Sequence, residues 1–257
     1  MLFSVLWAVW SHHIVASETV TTGDQYPPYV DSNLKDNGLM VPVITEILDN
    51  TTEYFDFEMV YQPWVRGYEQ AKQGMHLGTF PYVWDEDRDK DFLYSDIIYD
   101  ISSHLFVKLG PDETTLVDKY WSVELLNERS LRKVCRPNGY SIKEIDDSFL
   151  SKGDFELIQP SDLNDCFRLL AKGRVDIIPI DATTGLFVAA ELGMEDQIGY
   201  FENAIHKAGL HFIVSKERED AAILMEQFNE SLRALKSKGR LQEVRASFLK
   251  DYGQELK

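Results

Sequence analysis

The sequence has few basic residues for its length. Its 257 residues include 26 lysines and arginines against 43 aspartates and glutamates, which gives a formal net charge of −17. Nucleic-acid binding draws on clustered lysine and arginine, so this balance argues against a nucleic-acid partner. An acidic surface also repels anionic lipid headgroups. The charge does not identify a ligand, since one buried arginine can hold a carboxylate inside an acidic protein.

Histidine and cysteine are also sparse. The six histidines are scattered, except for the neighbours His12 and His13, and no histidine–cysteine cluster has the spacing of metal ligands. We therefore expect no metal site and no cofactor. The two cysteines are Cys135 and Cys166. They can pair in an exported protein and would stay free thiols in a cytosolic one, and the sequence leaves both alternatives open.

Long apolar runs are absent outside the first residues. The apolar and aromatic stretch from Met1 to Ala16 is too short to span a bilayer comfortably. It has the apolar core of a secretory signal peptide, although no lysine or arginine precedes that core. We predict a signal peptide over 1–17, with cleavage near Ala16 or Ser17, and a periplasmic or other extracytoplasmic location.

The rest of the chain alternates between strand and helix patterns. Apolar residues make up 44% of the full sequence and aromatic residues 12%, which suits a globular protein with real cores. The patterns predict strands at 18–22, 55–61, 75–80, 100–108, 133–135, 155–159, 177–180 and 210–214, and helices at 38–50, 65–73, from about 142, at 161–172, at 182–192 and over 217–252 with a division at Gly239.

An arginine inside an acidic run dominates residues 78–99. Arg88 lies in the stretch GTFPYVWDEDRDKDFLYSDIIY, with aromatic residues on both sides. A guanidinium is always charged, and its rigid fork of donors matches a carboxylate. By composition alone, a solvated charged turn in which Arg88 offsets its acidic neighbours is the commoner explanation.

A second motif lies in the other half of the chain. Gly-Arg-Val-Asp at 173–176 is followed by the short apolar strand 177–180 and then by Asp181. Residues at strand ends in α/β sheets face the ligand crevice, so Asp181 is a candidate ligand contact. The alternative is that Asp181 only caps the helix at 182–192.

Together these motifs resemble the bacterial extracytoplasmic solute-binding protein family 3, the polar amino-acid type of ABC transporter substrate-binding protein. The resemblance covers nearly all of 18–252, with the landmarks in the family's order. It implies an α/β, two-lobe periplasmic-binding-protein-like (type II) fold, with strands crossing between lobes near Leu105–Lys108 and Leu210–Val214. We expect the first lobe at 18–107 and 212–257 and the second at 108–211.

The resemblance also implies a ligand site in the cleft between the lobes. Arg88 would clamp a ligand carboxylate, Asp181 would grip an amino group, and aromatic side chains would hold the ligand's body. Ser141 would donate from the second lobe, and its alternative role as a helix cap is compatible with that. The implied ligand-binding residues are Arg88, Asp181, Tyr26, Tyr29, Trp64, Ser141 and Tyr82.

One departure from the family concerns the segment after the third predicted strand. Typical amino-acid binders carry serine or threonine there, whereas this chain has Pro81 and Val83. The specificity therefore need not be that of a standard amino-acid transporter.

The expected function is capture of a small amino-acid-like or carboxylate ligand for uptake, by a monomer that is not an enzyme and works with an ABC permease. Two alternatives stay open. One is a ligand-sensing module that acts through a partner. The other is a cyclohexadienyl-dehydratase-like enzyme on the same fold, which needs a general acid or base in the cleft. The sequence offers carboxylates there, but no Ser-His or Cys-His arrangement.

Overall fold

The structure, a computed structural model, describes residues 18–51, 56–110, 113, 116–118, 120–142, 145–146 and 150–252. The predicted signal peptide at 1–17 lies outside the described residues. The strands are β1 (Glu18–Thr22), β2 (Phe57–Tyr61), β3 (Gly78–Tyr82), β4 (Phe92–Tyr94), β5 (Tyr99–Lys108), β6 (Leu116–Asp118), β7 (Lys133–Cys135), β8 (Glu156–Ile158), β9 (Ile177–Asp181), β10 (Ile198–Phe201) and β11 (His206–Ser215).

Helices separate most of these strands. The α-helices of the described residues are α1 (Met40–Asp49), α2 (Trp64–Lys72), α3 (Glu86–Asp89), α4 (Val123–Glu128), α5 (Leu163–Ala171), α6 (Ala182–Glu191), α7 (Ala221–Ser237) and α8 (Arg240–Tyr252). Short 3-10 turns lie at Lys35–Asn37 and Leu150–Lys152. The helix predicted to begin near Ile142 falls largely outside the described residues.

The strands run in the order β2-β1-β3-β11-β5-β9-β7-β8. Parallel pairs β1–β2 and β1–β3 form one end of this order, and parallel pairs β7–β8 and β7–β9 form the other. We call the first lobe the part with β1–β4, α1–α3, α7 and α8, and the second lobe the part with β6–β10 and α4–α6. The strands β5 and β11 belong to both lobes.

The two shared strands connect the lobes by changing partners along their length. β5 pairs with β11 over residues 99–103 and with β9 over 103–107. β11 pairs with β5 over 206–210, and then with β3 and β4 over 211–215. The change on β11 falls inside the predicted range 210–214, whereas that on β5 comes at Ser103, before the predicted 105–108. The outer limits of the lobes stay a prediction.

Apolar helix faces close each lobe over its strands. The buried side of α1 carries Val43, Ile44 and Ile47, and the buried side of α5 carries Phe167 and Leu170. Burial of this kind contributes roughly 1.5–3 kcal/mol per large side chain. These faces fix the strand ends, and with them the loops that line the cleft.

The strand prediction differs from the structure at one boundary and omits the short strands β4 and β6 as well as β10. The third strand spans Gly78–Tyr82 rather than 75–80, since the turn that follows α2 contains the left-handed Gly74 and exposed Met75 continues the connection. Proline is usually a strand boundary, yet Pro81 lies inside this strand. No pattern predicts β10, because it contains Gly199 and has no clear alternation.

The two cysteines are bonded in the second lobe. Cys135 at the end of β7 and Cys166 on α5 form a disulfide, with their Cα atoms 5.6 Å apart. Both residues are fully buried. The bond ties α5 to the strand whose end opens onto the cleft.

Candidate ligand-binding cleft

A cavity of about 60 Å³ lies between the two lobes. It sits beyond the carboxyl ends of the parallel strands β1, β3, β7 and β9, where α/β sheets form their ligand crevices. The described residues that line it are Tyr26, Trp64, Pro81, Tyr82, Val83 and Arg88 from the first lobe, Arg136, Gly139, Tyr140, Ser141, Ile180 and Asp181 from the second, and Ile101, Ser103 and Leu210 from the shared strands.

Arg88 reaches this cavity from the short helix α3. The helix begins because the Asp85 carboxylate accepts hydrogen bonds from the backbone N–H groups of Asp87, at 3.0 Å, and Arg88, at 3.2 Å. Glu86 and Asp87 are exposed, whereas Arg88 is half-buried and lines the cavity. Arg88 is therefore not simply part of a solvated charged turn.

Tyrosine rings surround the Arg88 guanidinium. Its central carbon lies 4.9 Å from the ring centre of Tyr82 and 5.6 Å from that of Tyr68, within the range of cation–π attraction. Burial raises the pKa of Tyr82 and of Tyr94 to about 12, and the positive charge of Arg88 opposes the rise. The two hydroxyls therefore stay protonated at neutral pH.

The donors of Arg88 are only partly satisfied. Its Nη1 donates to the Val83 carbonyl oxygen at 2.7 Å. Its Nε is buried and has no hydrogen-bond partner in the described part of the protein. A buried donor without a partner is destabilising by about 1–3 kcal/mol, so a carboxylate placed here would gain a charge-assisted bond and remove that penalty.

Asp181 ends β9 and is 4% exposed. Its Oδ1 accepts from the backbone N–H groups of Thr183 and Thr184, at 3.1 and 3.2 Å, so it caps α6. The same oxygen accepts from the Tyr29 hydroxyl at 3.2 Å, and Oδ2 accepts from the Ser102 N–H at 3.0 Å. Asp181 thus caps α6 and also accepts hydrogen bonds from Tyr29 of the first lobe and from Ser102 of β5. It lines the cavity as well.

The predicted aromatic wall forms only in part. Tyr26 and Trp64 line the cavity, but Tyr29 is not among the lining residues and bonds to Asp181 instead. Burial, followed by the negative charge of Asp181, raises the pKa of Tyr29 well above its usual value. The loop here is a tight turn, because the Tyr26 N–H donates to the Val30 carbonyl oxygen at 2.9 Å and the Val30 N–H returns a bond to Tyr26 at 3.0 Å.

The second-lobe loop contributes residues that the sequence patterns did not identify. Arg136 follows β7 directly, is 4% exposed and lines the cavity. Its Nε donates to the Ser141 carbonyl oxygen at 3.0 Å and its Nη1 to the Pro179 carbonyl oxygen at 2.5 Å. Tyr140 also lines the cavity, with its ring centre 5.4 Å from the guanidinium carbon of Arg136. The position of Arg136 at the end of a parallel strand was the signal that could have found it.

Six of the seven predicted ligand residues therefore meet at one cavity, and Tyr29 lies beside it. Ser141 lines the cavity while its carbonyl oxygen supports Arg136. The contacts of all seven with a ligand stay predictions.

Two negative observations concern the described residues alone. No three side chains of histidine, cysteine, aspartate or glutamate in these ranges are arranged to hold a metal ion. None of the described helices combines the length and the apolar character that crossing a membrane requires.

No protein-family model and no curated protein sequence matches this chain. Similar solved structures include a mutant of ArgBP from T. maritima, with 18% identity and a TM-score of 0.73 over 91% of this chain and 95% of that one. A histidine kinase sensor domain with similarity to periplasmic binding proteins has 20% identity and a TM-score of 0.71 over 90% of this chain and 96% of that one. The ancestral amino acid-binding protein AncCDT-1, a precursor of cyclohexadienyl dehydratase, has 18% identity and a TM-score of 0.67 over 90% of this chain and 94% of that one.

At these identities the likeness concerns the fold. The chain has the two-lobed α/β fold of periplasmic binding proteins, with two strands shared between the lobes. The fold that the sequence resemblance implied is confirmed.

Proposed function

We propose that this protein is an extracytoplasmic solute-binding protein, which captures a small amino-acid-like or carboxylate ligand between its lobes for uptake through an ABC permease. The observation that supports this most directly is Arg88, whose side chain lines the interlobe cavity and whose buried Nε lacks a partner among the described residues. A ligand carboxylate is the group that best completes it.

Asp181 supplies the complementary charge from the other lobe. Its Oδ2 accepts one bond, from the Ser102 N–H, and a carboxylate oxygen can accept two. A ligand ammonium group fits that acceptor while its carboxylate engages Arg88. Such a ligand contacts both lobes, and only a ligand that does so stabilises the closed arrangement over the open one.

The proposal also covers the compartment, the oligomeric state and the ligand class of the protein. The disulfide between Cys135 and Cys166 suits an oxidising compartment, which supports export by the signal peptide predicted over 1–17. We propose that the protein acts as a monomer, with lobe limits near those predicted. ArgBP has the same fold and supports an amino-acid-like ligand.

The test is a thermal-shift screen of the protein against amino acids and small carboxylates, followed by calorimetry on the hits. A specific ligand must raise the melting temperature, because it binds the folded state alone. Arg88→Ala should weaken binding by about tenfold or more. Arg66→Ala is the matched control, because Arg66 is an exposed arginine on α2 of the same lobe. Equal affinities for the three proteins would refute the proposed role of Arg88.

Two alternatives share this fold and are separated by other measurements. A sensing module would bind the same ligand but act through a signalling partner, as the similar histidine kinase sensor domain suggests. A dehydratase would turn over prephenate or arogenate, as the likeness to a dehydratase precursor suggests. Product formation from either compound would replace the binding proposal with an enzymatic one.

A further inference from the structure

Two aromatic side chains separate the inner cavity from a larger pocket in the outer cleft. The outer pocket has a volume of about 580 Å³, against about 60 Å³ for the inner one. Trp64 and Tyr140 line both of them. Trp64 comes from the first lobe and Tyr140 from the second, so the partition forms where the lobes meet.

Trp64 is held in place by the backbone of both lobes. A Cβ atom on Gly23 would lie 2.1 Å from the Trp64 ring, and one on Gly139 would lie 2.9 Å from the Trp64 Cβ. Gly139 also has a φ of +87°, a conformation that favours glycine. The indole Nε1 donates to the Asp24 carbonyl oxygen at 3.0 Å. These contacts leave the ring little freedom to swing away from the cavity.

Tyr140 is supported from behind and touches the first lobe in front. The Arg136 guanidinium lies 5.4 Å from its ring centre, on the second-lobe side. Its ring centre lies 5.5 Å from that of Tyr26 and 6.1 Å from that of Trp64. Its hydroxyl donates a long, 3.3 Å hydrogen bond to the Gln25 carbonyl oxygen. The contacts with Tyr26, Trp64 and Gln25 join the two lobes directly.

The inner volume limits what can fit behind this partition. The inner cavity is small, at about 60 Å³. Pockets for drug-sized ligands have volumes of about 300–1,000 Å³. A longer ligand would have to push the Tyr140 ring away from Tyr26 and Trp64, and closure would then lose those contacts.

We infer that Trp64 and Tyr140 set an upper size limit on the ligand, and that the ligand is a compact carboxylate of the size of glycine or alanine. This inference rests on the proposed function and narrows its ligand class. Trp64 and Tyr140 are then specificity-determining residues.

Calorimetry with glycine, alanine, leucine, phenylalanine and arginine tests the size limit. The unaltered protein should bind glycine or alanine at least tenfold more tightly than the three larger amino acids. Tyr140→Ala joins the inner and outer pockets, so its affinity for leucine should rise about tenfold or more while its affinity for glycine falls. Tyr140→Phe keeps the ring and should keep the preference. The control, Tyr120→Ala, replaces a tyrosine that is 60% exposed in the same lobe and should behave like the unaltered protein.

The outcomes separate this inference from the function on which it rests. If the unaltered protein prefers leucine, phenylalanine or arginine, the size limit is overturned and the solute-binding proposal stands. If Tyr140→Ala folds and keeps the unaltered size preference, the role of Tyr140 is overturned. If none of these amino acids and none of the small carboxylates binds the unaltered protein, both proposals fail. Should Tyr140→Ala not fold, the amino-acid preference of the unaltered protein still tests the size limit. Trp64→Ala then tests the other side chain of the partition.

Discussion

The two lobes hold their buried charges in different ways. In the first lobe, the Nε of Arg88 is buried with no partner in the described part of the protein. In the second lobe, the Asp181 carboxylate accepts hydrogen bonds from four groups, three of them backbone N–H groups and one the Tyr29 hydroxyl. A satisfied buried group stabilises the fold, whereas a partnerless one destabilises it. We therefore expect Asp181 to matter for folding and Arg88 mainly for binding.

The lobes also differ in covalent bonding, and this difference leads to the largest predicted effect on stability. The disulfide closes a loop between residues 31 positions apart in the second lobe. On the chain-entropy model, such a loop contributes about 3–4 kcal/mol. Replacing both cysteines, as Cys135→Ala with Cys166→Ala, should lower the free energy of unfolding by that amount in urea titrations.

Intact-mass measurement supplies the control for this prediction. The native protein should weigh about two daltons less than the reduced protein, because disulfide formation removes two hydrogens. Thiols that react with an alkylating reagent in unreduced protein would show that the pairing is wrong. Reduction of the unaltered protein should reproduce the loss of stability seen in the double variant.

Asp181→Ala tests the hydrogen-bonded carboxylate of the second lobe. It removes a helix cap, which contributes about 0.5–2 kcal/mol, and leaves the Ser102 N–H and the Tyr29 hydroxyl without their acceptor. We expect a total loss of about 2–4 kcal/mol in the free energy of unfolding. Asp181→Asn keeps one acceptor oxygen and should lose less. Unchanged urea midpoints in both variants would rule out a structural role for the carboxylate.

Arg88→Met tests the guanidinium whose buried Nε lacks a partner among the described residues, and it should have a smaller effect on the free energy of unfolding. The variant loses the hydrogen bond to the Val83 carbonyl oxygen and the cation–π contact with Tyr82, but it also removes the buried Nε. These contributions oppose one another, so the free energy of unfolding should change by no more than about 1 kcal/mol. Ligand affinity, in contrast, should fall about tenfold or more. A loss of stability as large as that of Asp181→Ala would remove the contrast between the lobes.

Sequence patterns predicted best those features that local chemistry determines. The strand ending at Asp181 and the helix after it follow from an apolar run, a capping residue and a helical pattern. The position of Asp181 at a parallel strand end then placed it at the crevice. The motif around Arg88 was informative through resemblance, since its acidic composition alone favours an exposed turn.

The sequence could not show contacts that form only when the lobes meet. Asn138 and Gly139 were recognisable as a turn, but nothing in the local pattern indicates that this turn lies against Trp64, far away in the chain. The role that we propose for Tyr140 therefore could not be predicted from the sequence. The family resemblance implied that Tyr29 lies in the ligand wall with Tyr26, yet in the structure the Tyr29 hydroxyl donates to Asp181.

The smallest predicted effect concerns two histidines, one before β3 in the first lobe and one on the shared strand β11. Burial lowers the pKa of His76 and of His211 below the usual value of about 6.5. The folded state therefore binds protons less readily than the unfolded state. Stability should be fully present above about pH 6.5 and should fall as the pH drops through that value toward the lower folded-state pKa. Urea midpoints at about pH 7.5 and pH 5.5 measure this slope, which should flatten when His76→Gln and His211→Gln are combined. A steeper slope in the double variant would mean that these side chains gain protons more readily in the folded state, and the burial argument would then be wrong.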